Sequence, residues 1–125
     1  VNKEAEIMVD SCIFCKIIDG RIPSGRIHED DELIIIKDIN PQAKVHWLVI
    51  PKVHVAHLDE LSLRPEGSAM LGRLLERAAY LARVQGLMPA GYRVVINTNP
   101  AGGQTVYHLH AHVLGGESLA GSFGV

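Results

Sequence analysis

Three histidines alternate with apolar residues near the end of this chain, His108-Leu109-His110-Ala111-His112, followed by Val113-Leu114 and Gly115-Gly116. A period of two suits extended backbone. On a strand it puts the three imidazoles on one face and Leu109, Ala111 and Val113 on the other. Neighbouring rings would then stand about 6.5–7 Å apart, twice the strand rise. Imidazole serves as nucleophile, acid, base or metal ligand at neutral pH, so core packing alone would not choose such a row.

The remaining pattern supplies partners for that strand. Ser11 can cap a short helix over Cys12 to Ile18, stopped by Asp19-Gly20. Arg26 to Glu29 and Leu33 to Lys37 read as a hairpin turned by Asp30-Asp31, and Val45 to Ile50 as a central strand ending at Pro51. A turn is expected at Leu58–Leu61. Pro65 and Glu66 open a long helix running to about Gln85, with Gly86 as its stop. Its apolar stripe is Met70, Leu71, Leu74, Leu75, Ala78, Leu81 and Ala82. Tyr92 to Asn97 and Val106 to Leu114 give two more strands. The order β-β-β-α-β-β predicts an α+β fold with a five-stranded antiparallel sheet.

A length of 125 residues fits one domain, here expected over residues 11–116 with a flexible segment at 1–10 and a tail at 117–125. A net charge of −2 offers no footprint for nucleic acid or an anionic membrane. No apolar run spans a bilayer, and the opening residues lack a signal-peptide core. A cytoplasmic protein is expected, its two cysteines reduced or metal-bound.

Between the last two strands lies Asn97-Thr98-Asn99-Pro100-Ala101-Gly102-Gly103-Gln104-Thr105. Gly102 and Gly103 would let backbone N–H groups converge on a phosphate, although the same residues make ordinary turns. Asp38 can equally be a turn residue capping Asn40-Pro41. Cys12 and Cys15 have zinc-like spacing but supply only two ligands of the usual four. Two free thiols are the alternative.

Taken together, these segments resemble the histidine-triad (HIT) nucleotide-binding proteins, and within them the Hint branch of nucleoside phosphoramidases. The resemblance is carried by His108 to Leu114, Gly102-Gly103-Gln104-Thr105-Val106, Gly115-Gly116, Ile13 to Ile18, Ile22-Pro23, Asp38 to Gln42, and His46 to His54. It implies a HIT-like fold with one long helix and a short N-terminal helix. It also implies His110 as a nucleophile that carries the nucleotide, and His112 as a phosphate-binding group. His108 and His46 would support the network, and Thr105 would bond the leaving atom. Asp38 would hold the ribose, Asn97, Gly103 and Val106 would lie against the nucleotide, and Phe14, Ile17, Ile36 and Ile39 would line a slot for a purine. In related bacterial proteins the cysteine pair is completed by histidines at positions matching His54 and His108, which implies structural zinc on Cys12, Cys15, His54 and His108. No catalytic metal is implied.

The resemblance further implies a homodimer, with Ala78, Ala79 and Ala82 permitting close helix approach. His28 and His57 match nothing in the family pattern and are read as solvated surface residues. The tail Leu119 to Val125 departs from the Trp-Pro-Pro-Gly-like ending common in the Hint branch, and Ala111 is smaller than the usual residue. The expected function is hydrolysis of purine nucleoside 5′-phosphoramidates through a nucleotidyl-histidine. The alternatives are dinucleoside polyphosphate hydrolysis, as in the Fhit branch, a nucleotide-binding interaction protein, and a plain metal site.

Overall fold

Leu33-Ile34-Ile35-Ile36 offers no polar position, so a strand built from it must be covered on both faces. In the computed structural model, which describes residues 11–121, all four residues are buried. The expected segment at residues 1–10 lies outside the described residues, as do the last four residues of the tail. β1 (Arg26–Glu29), β2 (Leu33–Lys37), β3 (Val45–Pro51), β4 (Tyr92–Val95) and β5 (Ala111–Gly115) form one sheet in the order β1-β2-β3-β5-β4. Every pairing is antiparallel, as expected.

The period of two divides this sheet. Leu33, Ile35, Trp47, Val49, Ala111 and Val113 face Leu74, Ala78, Leu81 and Ala82 of the long helix. Ile34, Ile36, Leu48 and Ile50 point to the opposite face, where Phe14 and Ile17 of α1 (Ile13–Ile18) cover them. Each fully buried isoleucine contributes about 1.5–3 kcal/mol relative to an exposed one, so β2 holds both layers together.

Several boundaries differ from the sequence reading, each for a local reason. Cys12, not Ser11, caps α1, because its Sγ accepts the Cys15 N–H at 3.3 Å. The expected turn at Leu58–Leu61 is a short helix, α2 (Leu58–Ser62). His57 is its cap and not a solvated residue: Nδ1 accepts the Glu60 N–H, while the Glu60 carboxylate accepts the Ala56 N–H. His28 is likewise half-buried, with Nε2 2.9 Å from Asp30 Oδ2. Burial alone would raise the Asp30 carboxyl, but bonds from His28, the Glu32 and Leu33 amides and Arg77 hold it far below the usual carboxylate range.

The long helix, α3 (Gly67–Val84), begins at Gly67, with Glu66 as its cap and Pro65 outside it. Gly86 stops it as expected, with φ +84°: its N–H reaches Arg83 O and the Leu87 N–H reaches Ala82 O, a Schellman closure. Leu75 of the expected stripe is 40 % exposed, whereas Ala78 and Ala82 are fully buried against the sheet. Those two alanines therefore pack within the chain and are not available to a partner helix.

The start of α3 generates a test. Glycine inside a helix is ordinarily about 1 kcal/mol worse than alanine. At Gly67, however, an added Cβ would lie 2.0 Å from the backbone oxygen of Leu61. Gly67→Ala is expected to reverse the usual sign and cost about 1–3 kcal/mol, read as a lower urea midpoint at unchanged m.

Candidate active site and metal centre

The histidine row is not one strand. β5 begins at Ala111, so only His112 lies in the ladder; His108 sits in a bend and His110 in the irregular residues that lead into the strand. β3 and β5 pair as far as Val49 with Ala111, and continuing that register would set Pro51 opposite Leu109. Proline has no N–H to donate, so the ladder ends there. The Leu109 N–H goes instead to Val55 O at 2.7 Å. β4 likewise stops at Val95, short of the expected Asn97.

Once the ladder ends, each ring finds a different partner. His108 is fully buried and Nε2–H donates to Pro51 O at 2.7 Å, leaving the Nδ1 lone pair facing away. His110 donates Nδ1–H to His108 O at 2.7 Å, so Nε2 keeps its lone pair. His46 Nδ1 accepts the Gln42 N–H at 3.0 Å, which puts its proton on Nε2. That N–H donates to His112 Nδ1 at 2.8 Å, with Asp38 Oδ2 3.3 Å away. His112 therefore carries its proton on Nε2. Backbone groups thus set the tautomers of His108, His110 and His46, and His46 sets that of His112.

Burial disfavours the charged forms of His108, His110 and His112. It pushes His110 below the ordinary imidazole value, against the opposing pull of the His108 carbonyl and Asp38. His112 is pushed down to about 4, by burial first and then by His110 and His46. Phe14 stands edge-on to His110, with centroids 5.0 Å apart, and to His108.

His110, His112 and His46 open onto a cavity of about 690 Å³ on the α1 face of the sheet. That volume suits a ligand of nucleotide size. Phe14, Ile17, Ile36, Asp38, Ile39, Gly103, Thr105 and Val106 line it, as the sequence reading expected. Ile39 does so from the rim and is 92 % exposed. Asn97 is not among the lining residues, and His108 turns away from the cavity. Ile22, Pro23, Ser24, Lys37, Gln42 and Leu48 also line it and were given no role. The Ile22-Pro23 motif could have suggested two of these. Nothing in the sequence marks the Gln42 amide.

Asp38 makes the expected turn and also faces the histidines. Oδ1 accepts the Asn40 N–H at 2.8 Å in an Asx turn, and Oδ2 faces His46. The glycine loop differs from expectation. The N–H groups of Gly102 and Gly103 go to Asn99 O and Pro100 O, so they form no nest. The buried Gln104 amide sets this loop: Nε2 donates to Ala56 O and Val106 O, and Oε1 accepts the Asn99 N–H.

Two clusters bring metal-type donors together, and hydrogen bonding separates them. In Asp38, His46 and His112, His46 Nε2 holds a proton because Nδ1 accepts from Gln42, so it has no lone pair for a cation. In Cys12, Cys15, His54 and His108 the lone pairs converge. His108 Nδ1 is 3.4 Å from Cys12 Sγ, 3.6 Å from Cys15 Sγ and 3.1 Å from His54 Nδ1, and Cys15 Sγ is 3.3 Å from His54 Nδ1. A tetrahedral zinc with ordinary Zn–N and Zn–S bonds needs ligand edges of roughly 3.3–3.8 Å. A ring whose far N–H is fixed on a carbonyl is the usual support for a ligating histidine. The donor set fits zinc.

Residues 19–119 match the family model described as HIT domain. A protein of Escherichia coli named purine nucleoside phosphoramidase is 42 % identical over 112 residues, which cover 90 % of this chain and 92 % of that one. The structure of a HIT family hydrolase from Clostridium thermocellum superposes with TM-score 0.87 at 40 % identity, covering 93 % of this chain and 99 % of that one. A structure described as a Zn-bound histidine triad family protein from Mycobacterium smegmatis gives TM-score 0.74 at 39 % identity, covering 90 % and 81 %. The chain belongs to the HIT domain family.

Proposed function

We propose that this chain hydrolyses purine nucleoside 5′-phosphoramidates through a covalent nucleotidyl-histidine. One observation carries the reading: the His110 Nδ1–H is held by the His108 carbonyl, so the Nε2 lone pair belongs to the cavity side of the ring. The Escherichia coli relative's name supports the substrate class.

In this reaction His110 Nε2 attacks the α-phosphorus and the P–N bond breaks. The leaving nitrogen takes a proton from solvent, relayed through the Thr105 hydroxyl, and departs as the amine; the water that attacks in the second step returns one to solvent. The imidazolium formed on His110 keeps its Nδ1–H on the carbonyl, which offsets the new charge. Water then attacks phosphorus, releasing the nucleoside monophosphate and neutral His110. His112 Nε2–H bonds a phosphate oxygen. Asp38 accepts from the ribose hydroxyls, and Phe14, Ile17 and Ile36 sandwich the base. Gly103 and Val106 lie along the phosphate and ribose. Zinc on Cys12, Cys15, His54 and His108 ties α1 to the sheet and takes no part in the chemistry.

Exposed Leu75, Val84 and Met88, with Val94 on the unpaired edge strand β4, support a homodimer through α3 and β4. Light scattering after size exclusion is expected to give twice the chain mass of 13.6 kDa. A monomer at micromolar concentration would reject the dimer. No described helix is long and apolar enough to cross a membrane, in keeping with a cytoplasmic enzyme.

The test of the reaction is a substrate panel run on wild type and His110→Ala. Brief exposure to an adenosine phosphoramidate should leave wild type heavier by one nucleotidyl group and the variant unmodified. Turnover should fall roughly 10³–10⁶-fold in the variant. An equal rate in both proteins would refute the covalent step. Faster cleavage of diadenosine polyphosphate would reassign the substrate, and AMP binding without turnover would leave a binding module.

The neutral rings set the acid limit. The nucleophile works only unprotonated, and its pKa is lowered, so protonation is delayed to more acid solution. kcat/KM is expected to stay level from pH 7.5 to about 6.5, the ordinary imidazole value, and fall only below it. A decline already complete at pH 6.5 would contradict this.

A further inference from the structure

The metal centre and the nucleophile share a single peptide group. Between His108 and Leu109, the carbonyl accepts His110 Nδ1–H and the N–H donates to Val55 O. Both flanking segments carry a donor of the four-residue cluster: His108 precedes the peptide N–H, and His54 precedes the Val55 acceptor. The rings of His54 and His108 meet at 3.1 Å between their Nδ1 atoms. What draws these rings together also closes the backbone bond that aims the carbonyl at His110.

We infer that metal occupancy of Cys12, Cys15, His54 and His108 controls the orientation of His110, with His108 acting as a positioning residue through its main chain. This rests on the proposed zinc site and deepens the proposed reaction. Among the described residues, the Leu109 N–H bond to Val55 O and the ring contact itself join 54–55 to 108–109 directly, and Cys15 Sγ reaches both rings. With a cation on both imidazoles the contact is a bridge. Without one, that bridge is absent and the clasp weakens. The peptide can then tilt, and the His110 ring loses the acceptor that fixes its tautomer.

The chain also supplies a second set of tautomers inside the same cavity. The His46–His112 pair hangs from the Gln42 N–H, and His112 meets His110 by an edge-on ring contact with centroids 5.0 Å apart. Its tautomers should not respond to the metal. The cluster is reachable from solvent without unfolding, because Cys12 and His54 line a groove shared with Ser11, Thr105 and Tyr107.

The experiment compares ¹⁵N-labelled full-length protein loaded with zinc, stripped by a chelator and reloaded, with zinc counted at each stage. Imidazole nitrogen spectra report which ring nitrogen carries the proton. In the loaded protein His110 should be protonated on Nδ1, with a slowly exchanging N–H. On stripping, that signal should broaden or vanish and the two tautomers should mix, while His112 stays protonated on Nε2. Reloading should restore it, and the nucleotidylation rate should follow, falling about tenfold to a hundredfold without zinc. Cys12→Ser should mimic the stripped state.

An unchanged His110 spectrum after verified metal loss overturns the inference, as does failure of the protein to bind zinc. Collapse of His110 and His112 together also overturns it, because the metal would then support the whole fold. A zinc-dependent His110 in a protein that turns over no phosphoramidate keeps the coupling and rejects the substrate. Turnover with a metal-indifferent His110 does the reverse.

Discussion

Where β3 stops pairing with β5 governs most of the site. Through Val49 and Ala111 the two strands satisfy each other's amides, and the ladder leaves no backbone group free to hold a side chain. Pro51 then removes a donor, and its carbonyl is left to accept from a ring, the Nε2–H of His108. One residue later in each direction the chain has left the sheet. The rings of His108 and His110 can therefore take orientations different from that of His112 in β5, which a regular strand through all three would have forbidden.

Proton positions follow from that exit. His108 faces the cysteines with a lone pair, His110 is left with one on Nε2, and His112 keeps an N–H there, although the three residues alternate identically in sequence. The cause in each case is a neighbouring carbonyl, amide or ring, not the histidine itself. Burial complements this by disfavouring the charged forms, so that the pattern of donors and lone pairs persists at neutral pH. A cation belongs only where the lone pairs converge, which is why the Asp38 cluster and the cysteine cluster differ in chemistry despite similar spacing.

The sheet was legible because its signals are periodic. The bounds of β1 and β2, the Gly86 stop and the antiparallel pairing follow from alternation and turns, whereas the crossover that sets β5 between β3 and β4 carries no such signal. Most of the cavity lining was legible through resemblance. What escaped depends on groups that carry no side-chain signature: the Gln42 amide, the Pro51 carbonyl, and the Leu61 oxygen that forces glycine at position 67. His57 and His28 were misread for a related reason. Capping and turn bonds are made by whichever polar atom the local backbone presents, and a histidine there looks like any surface residue until its partner amide is placed.

The loop beside the cavity has a further consequence for the pace of turnover. Gly102, Gly103 and Gln104 spend their amides on Asn99 and Pro100 carbonyls, and Gln104 bolts the loop to Ala56. Those amides are thus withheld from any anion. Of the imidazoles only His112 offers a phosphate lodged there an N–H, and one neutral donor holds a dianion less strongly than a backbone nest or a cationic side chain would. A monophosphate generated in such a cavity is free to leave, which inclines the architecture towards clearing a product and against storing a nucleotide.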